Sequence, residues 1–245
     1  MIKKVTGIII NDRDYSESSK IIYVLTKEYG LISMIAKGVK RLKSKLRGGT
    51  IPLTYGYFHI YYKEDKLSTL IEVDIIDNFR MIKKDLNKLS YASYLCELSG
   101  QVIKQATEKD YEKIYNLLIA ALFKINEGFK EEVITNILEL KMLSYLGVEP
   151  KLDACIKCGN VNSIVTVDAD KGGFLCLKCR TNEYIVKEET IKTLRMYVYL
   201  DINKITKLAI NPEVSREIDR FINNYYERYT GLYLNSKQFL SKIKQ

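Results

Sequence analysis

A single histidine, His59, stands in 245 residues. That scarcity removes most familiar catalytic constellations, because neither a Ser-His-Asp nor a Cys-His set finds supporting histidines. A lone histidine on a strand reads as a surface or packing residue. No apolar run approaches the ~20 residues needed to span a bilayer. The N-terminal stretch MIKKVTGIIINDRD carries two lysines and a short apolar run. Asp12, Arg13 and Asp14 follow where a cleavage site of small residues belongs, so no signal peptide is expected. No P-loop or GxGxxG occurs, since Gly48, Gly49, Gly172 and Gly173 lack the lysine and hydroxyl context of a phosphate cradle. The paired acids Glu131-Glu132 and Glu188-Glu189 open expected helices, where negative charge suits the N-terminus. Repeats and low-complexity linkers are also missing. The residues therefore support no enzyme, no membrane protein and no small-molecule substrate.

What is present is led by cysteine. Four of the five cysteines form two tight pairs, Cys155-Ile-Lys-Cys158 and Cys176-Leu-Lys-Cys179, with 17 residues between the pairs. This is zinc-site spacing. A two-residue gap lets both sulfurs of a pair bend back onto one ion, and two such knuckles complete a tetrahedron. Gly159 suits the tight reversal after Cys158. A closed shell of four thiolates leaves no open position, so one structural Zn2+ is the expected cofactor. Two redox pairs, two disulfides or a vestigial site are the alternatives. A redox pair is expected near a βαβ pattern and a secreted disulfide scaffold near a signal peptide, and neither is found. Cys96, in the apolar run Tyr94-Leu95-Cys96, reads as a buried small hydrophobe. A reducing cytoplasm is the expected setting.

Lysine and arginine outnumber aspartate and glutamate 39 to 30, a formal charge of +9. Four thiolates around one Zn2+ lower this to about +7. Such a balance implies an anionic partner, nucleic acid or a membrane surface, although excess lysine also occurs without one.

Periodicity divides the chain into textures. Residues 1–79 alternate like strands, with candidates at 5–11, 21–26, 31–36, 51–62 and 67–76. Five strands without a helical crossover point to a small antiparallel barrel. Helices are expected over 85–106, 110–126, 131–146, 188–200 and 212–229, the last opened by Asn211 and Pro212. The cysteine module interrupts them, with a strand at 164–167 and a turn at Gly172-Gly173, and helices on both sides of it are expected to share one core. The fold class expected is thus α+β, with a barrel over 1–79, a helical domain over 80–150 and 184–245, and a zinc-binding insert over 151–183.

The densest charge feature runs from Lys37 to Arg47: Lys37, Lys40, Arg41, Lys43, Lys45 and Arg47, six basic residues in eleven positions without an acid. By itself such a run is a solvated loop. Between the third and fourth strands of a five-stranded barrel it acquires meaning, because these barrels bind single-stranded nucleic acid with cationic grooves and stacking aromatics. Strand alternation puts Tyr57, His59 and Tyr61 on one face and Phe58, Ile60 and Tyr62 on the other. The more apolar Phe58 and Ile60 favour the core, which leaves Tyr57 and Tyr61 outward.

The segment TGIIINDRDYSESSKIIYVLTKEYGLISMIAKGVKRLKSKLRGG resembles the N-terminal block of the bacterial recombination mediator family RecO, at Asp14, Tyr15, Glu17, Lys20, Thr26, Gly30, Leu31, Ala36, Lys37, Gly38 and Arg41. The similarity continues through Pro52, Gly56 and LSTLIEVDIIDNF to a tail at 229–240. That tail departs from the family ending where Leu232 and Tyr233 replace Arg-Pro and where Asn235 and Gln238 replace basic residues. The resemblance implies an N-terminal OB-fold, an all-α domain and a zinc module. It also implies a non-enzymatic mediator of DNA repair that binds single- and double-stranded DNA and anneals strands. With RecR it would load RecA onto strands coated by single-stranded DNA-binding protein, whose acidic C-terminal tail is a further partner. The implied location is the cytoplasm, with the nucleoid. Arg13 and Lys20 join the loop as expected DNA contacts, and Lys178, Arg180, Lys187, Lys192 and Arg195 form a candidate second basic surface. An RNA-binding or translation-associated OB-fold protein is the alternative.

Overall fold

The computed structural model describes residues 1–64, 66–237 and 240. The chain divides into two compact units, Met1–Glu127 with the segment from Leu234, and Gly128–Tyr233.

In the first unit, β1 (Ile2–Asp14), β2 (Lys20–Thr26), β3 (Gly30–Ala36), β4 (Tyr55–Tyr61) and β5 (Ser68–Asp77) close in the order β1-β2-β3-β5-β4. The expected five-stranded barrel is present. Closure depends on β1, whose 13 residues are long enough to pair with β4 through Ile2–Ile8 and with β2 through Gly7–Asp14. Every neighbouring pair is antiparallel except β3 and β5, registered only at Met34–Ser68 and Ile35–Thr69. Alternation sends Val5, Ile9, Ile22, Val24, Ile32, Met34, Phe58, Ile60 and Leu70 into one core.

The fourth strand starts at Tyr55 instead of residue 51. Pro52 lacks a ladder N–H, and Leu53 takes a left-handed φ of 63°. Leu53 and Thr54 serve the bulge in β1 instead, where Leu53 N–H donates to the Ile9 carbonyl and Ile9 N–H to that of Thr54.

Side-chain caps mark some of the helix starts. A four-residue helix α1 (Arg80–Lys83), too short for a periodic signal, precedes α2 (Leu86–Val102). Asp85 caps α2 by accepting from Asn87 N–H and Lys88 N–H. Helix α3 (Glu108–Glu127) follows. Helix α2 packs on β1, and α3 on β2 and β3. The returning segment is tied to α2 by Glu97, which accepts from the amides of Asn235 and Ser236 at 3.0 and 2.8 Å.

The second unit comprises α4 (Glu131–Tyr145), the hairpin β6 (Ile164–Asp168) and β7 (Gly173–Cys176), α5 (Glu188–Tyr199) and α6 (Pro212–Tyr229). Asn211 caps α6 through the Glu213 amide, with Pro212 in its first turn. Helix α4 packs on α5 and α6, and Tyr226 Oη donates to the Glu139 carbonyl at 2.9 Å. A shared core thus joins the helices flanking the cysteine module for α4, α5 and α6, whereas α2 and α3 pack in the first unit. Among the described residues no helix is long and apolar enough to cross a membrane.

Candidate metal centre and nucleic-acid interface

Two copies of one turn build the metal centre. Gly159 N–H donates to the Cys155 carbonyl at 2.8 Å, and Arg180 N–H makes the equivalent bond to Cys176 at 2.9 Å. The first turn needs Gly159 at a left-handed φ of 73°. The hairpin then carries the second pair back to the first. At its tip Gly173 lies so close to the Lys151 backbone that a Cβ would collide with that carbonyl oxygen. As a result the sulfurs of Cys155, Cys158, Cys176 and Cys179 all lie within 4.8 Å of one another.

Cys158 Sγ and Cys176 Sγ stand 3.7 Å apart. Four sulfurs at about 2.3 Å from one ion on a tetrahedron are spaced by about 3.8 Å, so the donor set fits a metal ion held by four thiolates. Burial would raise the Cys155 thiol, but the amides of Cys176, Cys158 and Lys157 aimed at its sulfur prevail and lower it to about 6. The Cys179 thiol is pushed up to about 12, chiefly by its hydrogen bond with Cys158 and then by burial. Cys96 lies buried on α2, outside this cluster, with its thiol pushed up to about 12 by burial.

The basic segment is an ordered succession of turns. Arg41 N–H bonds to the Gly38 carbonyl, Ser44 to Arg41 and Arg47 to Ser44. Val39 is buried in the barrel core, and Leu46 packs against it. These apolar anchors leave Lys37, Arg41, Lys43, Lys45 and Arg47 exposed. Lys40 differs, pairing with Asp14 at 2.8 Å and donating to the Ser16 carbonyl at 3.4 Å. Its hydrogen bond, opposed in part by burial, holds the Asp14 carboxyl below the usual range. Lys20 is likewise paired, with Asp12 at 2.5 Å, while Arg13 has its guanidinium 5.7 Å from the Tyr23 ring centre.

The barrel carries a cavity of about 500 Å³, lined by Arg13, Tyr15, Tyr29, Tyr62, Lys63 and Lys66 together with apolar residues of β2 and β3. The Tyr29 and Tyr62 rings lie 4.9 Å apart, and Lys3 Nζ sits 4.3 and 4.2 Å from their centres. The β1–β2 turn joins loop and groove: Asp14 and Ser16 hold Lys40, and Arg13 and Tyr15 face the cavity.

Sequence reasoning missed the groove residues Tyr29, Tyr62, Lys63 and Lys66, and Lys3 against the two rings, which come from three segments and meet only through barrel closure. The one available signal was the basic pair Lys63 and Lys66 in the turn between β4 and β5.

Tyr57 and Tyr61 point outward as expected, 38% and 51% exposed. Their surroundings differ from the groove. Tyr57 registers with Asp74 and His59 with Glu72, while His59 Nε2 lies 2.8 Å from Asp74 and Lys4 Nζ lies 4.1 Å from the centre of the Tyr57 ring.

The suggested second basic surface is dispersed among internal partners. Lys187 pairs with Glu213 and Lys192 with Glu188. Arg180 Nε donates to the Glu183 carbonyl at 2.6 Å, and Arg195 reaches the carbonyls of Asp153 and Val161. Lys178 is exposed. In the tail, Tyr233 is exposed and Asn235 bonds to Glu97, whereas Gln238 lies outside the described residues.

With this geometry in view, the comparisons are specific. Residues 1–79 match the family model for Recombination protein O N terminal, and residues 83–238 match that for Recombination protein O C terminal. The DNA repair protein RecO of Halalkalibacterium halodurans is 34% identical, with 100% of this chain and 96% of that protein covered. Its counterpart in Listeria monocytogenes is 32% identical over 99% of this chain and 95% of that protein. That of Bacillus subtilis is 32% identical over 100% and 96%.

Proposed function

The chain belongs to the RecO family of recombination proteins, and from that premise we propose that it is a non-enzymatic mediator of DNA repair and recombination that grips DNA through its barrel. The observation that carries this reading is the pairing of an exposed basic loop, Lys37 to Arg47, with an aromatic, basic groove, each tied to the β1–β2 turn, the loop through Lys40 and the groove through Arg13 and Tyr15. Phosphates meet the loop, and bases of a single strand meet Tyr15 and the Tyr29–Tyr62 pair. Strand 2–3 faces of such barrels take oligonucleotides in this way. Duplex DNA has no splayed bases to offer the groove and binds through the cations alone.

Annealing follows if two backbones are brought together on a surface that reduces their repulsion. The RecR partnership, the loading of RecA and the docking of the acidic single-strand-binding-protein tail accompany family membership in this reading. So do a cytoplasmic, nucleoid-associated location and the division into a DNA-binding barrel, a helical domain and a zinc-binding insert. Cys155, Cys158, Cys176 and Cys179 would hold one Zn2+, which supplies structure alone because the shell is closed.

Titrating labelled single strands, duplexes and RNA in parallel, together with a strand-annealing assay, tests the proposal. Preference for RNA, or annealing no faster than without protein, would reject it. Selection from randomised DNA should return no strong consensus, since phosphate contacts carry no sequence information.

The groove makes a sharper prediction. Tyr15, 58% exposed, is the ring least committed to the fold. Tyr15→Ala should lose ~1 to 3 kcal/mol of single-strand binding, with a smaller loss on duplex. Tyr57→Ala with Tyr61→Ala should cost less, because a strand passing there meets Asp74 and Glu72. The reverse ranking would place the strand across the β4 face.

A further inference from the structure

Arg195 belongs by charge to the basic residues around the metal module, yet its surroundings give it another task. It projects from α5, whose Ile191 and Leu194 are buried in the second unit. One terminal nitrogen, Nη2, donates to the Asp153 carbonyl at 3.3 Å and to the Val161 carbonyl at 3.0 Å. Those carbonyls bracket the first cysteine pair, two residues before Cys155 and three after Cys158. The guanidinium carbon lies 5.5 Å from the ring centre of Phe174, a fully buried residue two positions before Cys176. Phe174 is itself tied to the first pair, since its carbonyl accepts from Ile156 N–H at 2.8 Å. One side chain thus touches the entry to the first knuckle, its exit, and the strand that delivers the second.

The cost of this placement is visible. Arg195 Nε is buried without a hydrogen-bond partner among the described residues. A side chain meant for solvent or phosphate has no reason to bury a donor. A side chain that bridges two loop carbonyls through one nitrogen and sets its guanidinium against an aromatic ring accepts that cost for position.

We propose that Arg195 is a positioning residue for the metal centre, a clasp by which α5 holds both cysteine pairs at ligating distance, and that it is not a DNA contact. The inference rests on the reading of the four cysteines as a metal site. Outer-shell groups that orient ligands typically change metal affinity by about 10–100-fold when removed. Lysine replaces arginine here only in part, because its ammonium can reach the two carbonyls that Nη2 bridges but offers no planar face to Phe174.

The test uses the full-length, zinc-loaded protein challenged with an excess of the chelating dye 4-(2-pyridylazo)resorcinol, followed by replacement of zinc with Co2+. Arg195→Gln should release zinc about tenfold faster or more and show altered cobalt–thiolate absorption. Arg195→Lys should recover only part of the retention. Lys192→Gln, an exposed cation of the same helix paired with Glu188, should match wild type. At saturating zinc, the salt dependence of DNA binding should be unchanged in Arg195→Gln. Wild-type release rates and cobalt spectra in both Arg195 variants would overturn the clasp, as would a flattened salt dependence with metal retention intact. Should Arg195→Gln fail to fold, the lysine variant decides alone. Wild-type protein that takes up neither zinc nor cobalt would instead remove the metal reading, and the clasp with it.

Discussion

Replacing Lys37, Lys40, Arg41, Lys43, Lys45 and Arg47 together with glutamine should flatten the plot of log single-strand affinity against log salt by about 3 units. Each phosphate neutralised on a single strand contributes about 0.7 to that slope, and about four contacts is a reasonable share of the five exposed cations plus Lys40, which Asp14 already engages. Between 50 and 200 mM salt, wild-type affinity should then fall ~60-fold more than that of the variant. Annealing should be largely lost, because strands no longer share a neutralising surface.

The fold should survive. The residues that pin the segment are Val39 and Leu46, which are untouched. The Lys40–Asp14 pair is exposed on its acidic side, and such pairs contribute little to stability. Unfolding midpoint and metal content should therefore stay near wild type. A slope unaltered within error would leave the segment as a solvated loop. A large drop in midpoint would show the cations to be structural.

Why some of this was legible and some was not follows from how local each signal is. Period-two alternation across Tyr57-Phe58-His59-Ile60-Tyr61 predicts the inward face, and Phe58 and Ile60 are indeed fully buried. The cysteine spacing is readable because ligation is local chemistry: two short turns and one hairpin bring four sulfurs together. Strand β7, by contrast, is Gly-Phe-Leu-Cys, buried at every position, and a run without alternation carries no strand signal.

The groove is illegible for a different reason. Tyr15, Tyr29 and Tyr62 belong to three segments, and only the pairing of β1 with both β2 and β4 brings them to one cavity. Arg195 is harder still. Its carbonyl partners are 42 and 34 residues away in sequence, and a carbonyl has no sequence signature, so a structural arginine reads as a surface cation.

Removing the metal should unfold the cysteine module and leave the barrel standing. The buried apolar content of the module is modest, with Leu152, Cys155, Phe174, Leu175 and Cys176 its main members and Ile164 and Cys179 packed against the cysteines. Segments below about 40 residues rarely hold a fold on so little and generally need a metal or disulfides. The two-stranded hairpin β6–β7 alone is marginal in water. Elemental analysis should find one zinc per chain. Cys176→Ser should lose it, and protease should then cut within 151–183 while residues 1–79 remain resistant.

Thiol titration supplies an independent reading. The zinc-bound protein should expose almost no reactive cysteine. A strong chelator should release four fast thiols and not five, since the module opens around the four ligands while Cys96 stays buried on α2. Protons compete for the same sulfurs, so retention should weaken as pH falls. Because the cations of the basic loop lie in the barrel, the metal-free protein should keep most of its salt-dependent DNA binding. Full metal content in Cys176→Ser, or a chelated protein as protease-resistant within 151–183 as the native one, would show that the four cysteines do not hold the module together. Loss of DNA binding in step with loss of zinc would place the module itself on the DNA.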